Sequence, residues 1–187
     1  MGAKVSAGRT AEQTELARFY SDNLIAIWHR TLRTIVAKEV GEIGDQARLF
    51  ALASIAAADG IIGVWDAKLY WALWRPITAI HEGDDDGNPR TAGDPFWEPF
   101  LVIFSAMARI VQSYLRSDAV TFDVESRAGG MTTFRTYHRL SDLTQDMIDV
   151  RVYQGIHFRF GDEVGYRQGV RSANWTFSHV LRPETPQ

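Results

Sequence analysis

Apolar residues recur at spacings of three and four along most of this chain, and that period predicts helices. Thr10, Ala11, Glu12, Gln13 fits a capping box, and the run that follows, with Leu16, Phe19 and Tyr20, predicts a first helix. Leu24, Ile27, Trp28, Leu32, Ile35 and Val36 repeat the spacing in a second helix, closed by the glycines at 41 and 44. From Asp45 an alanine- and leucine-rich stretch stays helical into the 70s and breaks at Trp74, Arg75, Pro76. Its small residues, among them Ala51, Ala53, Ala56, Ala57, Ala58, Gly60 and Gly63, let neighbouring helices approach on several sides, as in a central bundle helix.

The period then lapses. Residues 81–99 concentrate Gly, Pro, Asp and Asn and predict a long ordered loop, a form that is often functional in a compact fold. Helical spacing returns over Phe104 to Leu115. Val120 to Val124 and Thr132 to Tyr137, separated by Arg127, Ala128, Gly129, Gly130, predict a small hairpin. Ser141 is the expected cap of a further helix that carries RVYQGIHFRF, and a last helix runs from about Glu163 toward Leu181. The fold class is all-α: a helical bundle with one long loop and one small hairpin, read as a single domain over residues 1–187.

Composition narrows the chemistry. The 187 residues suit one core, and 45% hydrophobic with 23% charged is ordinary globular usage. Twenty Lys+Arg against 23 Asp+Glu leave a net charge of -3, which gives no general attraction for nucleic acid or an anionic membrane, so any basic site is local. Zero cysteines exclude disulfides and thiolate chemistry. The start MGAKVSAGRTAEQ lacks the apolar core of a secretory signal, which leaves a cytoplasmic location or an exported chain already processed. Leu49 to Trp65, interrupted by Asp59, is short for a membrane span and reads as a buried helix. The histidines at 29, 81, 138 and 179 show no metal-binding spacing, Asp84 to Pro89 departs from a calcium loop, and GxGxxG, P-loop and GxSxG motifs are missing.

Two groups can carry chemistry. Lys68 and Arg75 are seven residues apart, so on one continuous helix they differ by roughly 20 degrees and share a face, with Trp65, Tyr70, Trp71 and Trp74 around them to exclude water. The same spacing also suits an amphipathic helix whose cations run out to solvent past an aromatic core. Arg151 and His157 are six residues apart, about 120 degrees on a helix, with Gly155 between them. A glycine inside a helix costs roughly 1 kcal/mol and asks for a reason, such as the close approach of a ligand. A lone histidine between Ile156 and Phe158 also suits a satisfied core position.

Taken together, Lys68-x6-Arg75-Pro76 and Arg151-x3-Gly155-x-His157 resemble the first and third motifs of the vanadium-dependent haloperoxidase and type 2 phosphatidic acid phosphatase (acid phosphatase) superfamily. WRPITAI, DGNP, DPFWEP and YQGIHFRF resemble its bacterial haloperoxidase-like members, and the likeness runs from about Arg9 to Pro183. It implies a helical bundle in which Lys68, Arg75 and Arg151 bind the equatorial oxygens of vanadate. His157 would be the axial ligand and Gly155 would give room. Vanadate would act as a Lewis acid toward hydrogen peroxide in halide oxidation. In a phosphatase, phosphate would occupy the same site, a small phosphoester would be the substrate and His157 the nucleophile; a noncatalytic oxyanion-binding remnant is a third reading. Charge and the short apolar stretch predict no nucleic acid and no membrane span, and the aromatic and small-residue helices could equally bury a homodimer interface.

Three departures stand out. The middle PSGH-type motif, with its second histidine, is expected between Trp97 and Met107, where the chain reads WEPFLVIFSAMA. The abrupt passage from the loop into a helix favours an omitted internal loop near 101–104 over a lost general acid-base. The acid often found four residues after the motif histidine is replaced by Gly161, with Asp162 one place later. Family members commonly have more chain before the first motif, so N-terminal residues are expected to be missing.

Overall fold

The computed structural model describes residues 1–100 and 108–182. Among the described residues, seven α-helices and one hairpin follow in the order α1 (Ala11–Phe19), α2 (Leu24–Glu39), α3 (Ile43–Trp71), α4 (Pro76–His81), α5 (Ala108–Leu115), β1 (Phe122–Ser126), β2 (Thr133–Tyr137), α6 (Leu140–Tyr153) and α7 (Arg159–His179). The helical-bundle reading holds. So does the hairpin: Phe122 pairs with Tyr137 and Ser126 with Thr133, antiparallel.

Local signals explain the first elements. The Thr10 side chain accepts from the Gln13 backbone N–H while the Gln13 side chain accepts from that of Thr10, so the expected capping box is formed. Along α2, Leu24, Ile27, Trp28, Thr31, Leu32, Ile35 and Val36 make one buried stripe. The hairpin packs on that helix through the inward side of β1, Phe122, Val124 and Ser126. Gly44, expected to close the second helix, lies in the first turn of α3 instead.

Three expectations are corrected. Ser141 is not an N-cap: α6 starts at Leu140, and the backbone N–H and hydroxyl of Ser141 both donate to the Asp118 carboxylate, at 2.8 and 2.7 Å. The cap therefore comes from 23 residues upstream. RVYQGIHFRF is not one helix, because α6 ends at Tyr153 and α7 starts at Arg159, four residues before the expected Glu163. Nor is α3 a buried central helix throughout. Leu49, Leu52, Ala53, Ala56 and Gly60 are buried, whereas Ile61, Ile62, Trp65, Leu69, Tyr70 and Trp71 are exposed.

Among the described residues, one helical stretch, Ile43–His81, is long and apolar enough to cross a membrane, and only 28% of its apolar window is buried. Against the bundle, α3 packs on α7 and α5, while α6 packs on α1 and α7. Residues 84–93 fold as a turn, with the Asp86 carboxylate taken by the Asn88 N–H and the Thr91 hydroxyl.

Candidate functional site

Two chain breaks build the site. At the first, α3 ends with Ala72 in the left-handed region, φ 43°, and four residues later Pro76 opens α4 with Arg75 as its N-cap. Lys68 is thus in the last turn of α3, while Arg75 lies beyond it. The shared helical face expected for the pair is corrected: Pro76 cannot continue a helix, and the link between α3 and α4 re-aims Arg75. The Arg75 Nη1 donates to the Ile156 carbonyl at 3.4 Å, which ties the first break to the second.

The second break is a Schellman turn. Beyond α6 the Gly155 N–H donates to Val152 O at 3.0 Å and the Ile156 N–H to Arg151 O at 3.3 Å, with Gly155 at φ +78°. Gly155 is therefore not a helix-interior glycine but the left-handed residue that stops the helix. A Cβ there would collide with the Gly2 carbonyl and stand 3.1 Å from the Trp97 ring. Because the chain turns here, the angle that an unbroken helix would put between Arg151 and His157 no longer applies. Buried Gln154 fixes the turn from the other side, its Nε2 donating to Ala17 O at 3.0 Å and Tyr20 O at 3.4 Å.

All four sequence-derived side chains come together. Arg151, 3% exposed, places Nη2 3.5 Å from His157 Nε2. The opposite nitrogen, Nδ1, donates to Asp162 Oδ1 at 2.5 Å from the first turn of α7. Asp162 thus fills the place that the departure at Gly161 left open. Phe158 stands as N-cap between the turn and α7, which puts Asp162 in that helix's first turn. In the sequence Asp162 stands one place beyond the expected acid and carries no role of its own; its place in the first turn after the motif histidine is what makes it the partner.

The electrostatics are those of crowded cations. Burial lowers Lys68 to about 8, and repulsion from Arg75 and Arg151 adds to it against attraction by Asp162. Arg151 is lowered to about 10 by burial, with Asp162 opposing and Arg75 reinforcing the shift. His157 is lowered by burial, opposed by its bond to Asp162 and assisted by Arg151 and Arg75. The net shift favours the neutral imidazole; the Asp162 carboxylate holds a proton on Nδ1, and Nε2 stands toward the Arg151 guanidinium. Trp65 lies with its ring centroid 5.0 Å from Lys68 Nζ.

This donor set fits an oxyanion of vanadate type. A multiply charged ligand would relieve the repulsion among three cations, and a neutral imidazole with a carboxylate behind it is the usual arrangement of a histidine that ligates a metal. The middle-motif region, residues 101–107, lies outside the described residues.

The family model described as the VCPO second helical-bundle domain matches residues 48–184. A vanadium chloroperoxidase of Curvularia inaequalis is 38% identical over 82 residues, which is 43% of this chain and 13% of that protein. A bacterial vanadium-dependent iodoperoxidase structure superposes with a TM-score of 0.72 at 24% identity, over 92% of this chain and 44% of that one. The apo form of a bacterial vanadium-dependent chloroperoxidase gives 0.67 at 18% identity, over 92% of this chain and 45% of that one. At such identities the two structures speak for the fold, and the chain spans less than half the length of each relative. With nearly three quarters of its length matched by the family model, the chain belongs to the VCPO second helical-bundle domain family and is vanadium haloperoxidase-like.

Proposed function

We propose that this chain carries the vanadate-holding side of a haloperoxidase that oxidises halide with hydrogen peroxide. The observation that carries the reading is the convergence of Lys68, Arg75 and Arg151 with His157, whose ring is backed by Asp162. When bound, vanadate supplies Lewis-acid activation of peroxide without needing a redox cycle of the metal. The rest belongs to the chain. The two arginines and the lysine hold the anion's oxygens, and His157 Nε2 offers its lone pair. Asp162 fixes the tautomer and ring orientation, and the buried position of Arg151 strengthens its charge-assisted bonds. Gly155 lets the turn pack against Gly2, so that His157 stands on a braced segment.

The test is peroxide-dependent bromination of a dye as orthovanadate is added, beside calorimetry of orthovanadate binding. Bromination that saturates with vanadate is expected, and His157→Ala should abolish it and weaken vanadate binding at least tenfold. No bromination at any vanadate concentration would overturn the reading. Binding without turnover would then assign a noncatalytic oxyanion-binding role, and phosphate-ester hydrolysis inhibited by vanadate would assign a phosphatase.

A further inference from the structure

A cleft lies at the far end of the bundle, where α5 stops at Leu115, α7 stops at His179 and Arg48 stands in the second turn of α3. Its volume is about 380 Å³, within the range of small-molecule pockets, and it is lined by Arg48, Tyr114, Arg116, Phe177, Ser178 and Arg182. Twenty positions of α3 separate Arg48 from Lys68, about 30 Å along the helix axis, so the cleft is no part of the candidate site around His157. Two non-glycine residues with left-handed backbone flank it, Arg116 at φ 52° and Leu181 at φ 49°. Glycine takes that conformation freely and other residues at a cost, and at Arg116 it puts a cation on the wall of the cleft.

Arg48 donates from Nε to the Leu181 carbonyl at 2.6 Å, and its guanidinium lies 5.3 Å from the Tyr114 ring centroid. A cation beyond the end of a helix offsets the helix dipole, which suits Arg116 and Arg182 singly. Three guanidiniums on one cleft repel one another, however, and among the described residues none of the three forms an ion pair. The carboxylate at hand is Asp45, whose Oδ1 accepts from the Tyr114 hydroxyl at 3.1 Å. Three cations against one carboxylate leave two positive charges over, which matches the dianion of a phosphate monoester. The Tyr114 and Phe177 rings meet edge to face with centroids 6.5 Å apart, an arrangement that a third ring can extend. We propose that this cleft binds a phosphate monoester of an aromatic alcohol, with the phosphate on Arg48, Arg116 and Arg182 and the ring against Tyr114 and Phe177. Binding there is independent of the haloperoxidase reading.

The test is amide chemical-shift mapping by NMR with phenyl phosphate, inorganic phosphate and benzyl alcohol, which reads the two ends of the bundle separately. Phenyl phosphate should shift the amides of Arg116, Ser178 and Arg182 saturably, at least fivefold more tightly than inorganic phosphate, and benzyl alcohol should leave them in place. Arg116→Gly and Arg182→Ala should each weaken phenyl phosphate at least fivefold at the Ser178 amide. Glycine suits the left-handed φ at 116, so the first variant removes the cation without straining the turn. Arg90→Ala, an exposed arginine that does not line the cleft, should leave binding unchanged. Far-ultraviolet circular dichroism checks that the variants are folded. Shifts confined to the surroundings of Gly155 and His157, equal binding of benzyl alcohol, or equal behaviour of all three variants would overturn the proposal. Inorganic phosphate bound as tightly as phenyl phosphate would overturn the ester and assign the free anion. Bromination that saturates with vanadate beside unmoved Arg116 and Arg182 amides would remove this cleft and leave the haloperoxidase reading standing; the opposite pair of results would do the reverse.

Discussion

The two halves of α3 are built from similar residues and meet opposite fates. Its first half is closed in: Leu49, Leu52 and Ala53 are fully buried in a core shared with α2, α5, α6 and the hairpin. Its second half ends at the candidate site, and there Leu69, Tyr70 and Trp71 are each more than 70% exposed. The first half is packed into the core, while the second leaves Trp65 and Trp71 open. Hydrophobicity alone does not say which of these two jobs a helix face has; the neighbours do.

The largest expected effect tests the packed half. Leu52→Ala should cost about 2–5 kcal/mol, because a fully buried side chain leaves a cavity that its neighbours only partly fill. Denaturant titration reads it, and a cost under 1 kcal/mol would mean that this half is not the tight one.

Gly155→Ala should follow, at the boundary between fold and site. The left-handed φ and the collision with the Gly2 carbonyl act together, so a loss of at least about 1–3 kcal/mol is expected, with weaker phosphate binding as His157 shifts. Unchanged stability together with unchanged phosphate affinity would show that the turn does not position the histidine.

Asp118→Asn is expected to cost about 1–2 kcal/mol, the size of a lost helix cap. Partial burial pushes Asp118 up, but bonds from Ser141, Gln112 and Arg139 outweigh it and hold the carboxyl at about 2. Its folded value lies below its unfolded one near 3.9, so its contribution is complete above pH 4 and lost as pH falls toward 2. The difference between wild type and variant should shrink over that window. A difference that stays constant down to pH 2 would assign the effect to packing.

These positions also mark what could be read from the chain itself. The Thr10 capping box, the stripe of α2 and the hairpin turn are local patterns, and local patterns are written in neighbouring residues. The cap of α6 is not legible locally: Ser141 has the look of a cap, but the acceptor there, Asp118, is distant in sequence and reaches it only through the fold. Lys68, Arg75, Arg151 and His157 are all legible in the sequence, but its periodicity implies helices that run on through them. Only the breaks at Ala72 and Gly155 explain how they meet, and with them how Asp162 replaces the acid expected at Gly161. The exposure of the second half of α3 had no signal in the sequence, because an apolar helix face is written the same way whether or not something covers it.

Leu69→Lys gives the smallest expected effect and the sharpest contrast. Leu69 is 78% exposed, so removing its side chain from the surface takes away no packing, and a stability change within about 0.5 kcal/mol is expected. Solution behaviour should move more. An apolar patch that includes Ile62, Leu69, Tyr70 and Trp71 favours self-association, and a lysine in its middle opposes it. Sedimentation velocity should therefore show a smaller weight-average mass for the variant at equal concentration. A loss near 2 kcal/mol instead would place Leu69 in a packed interface in solution, and the two halves of α3 would then differ in what covers them and not in whether they are covered.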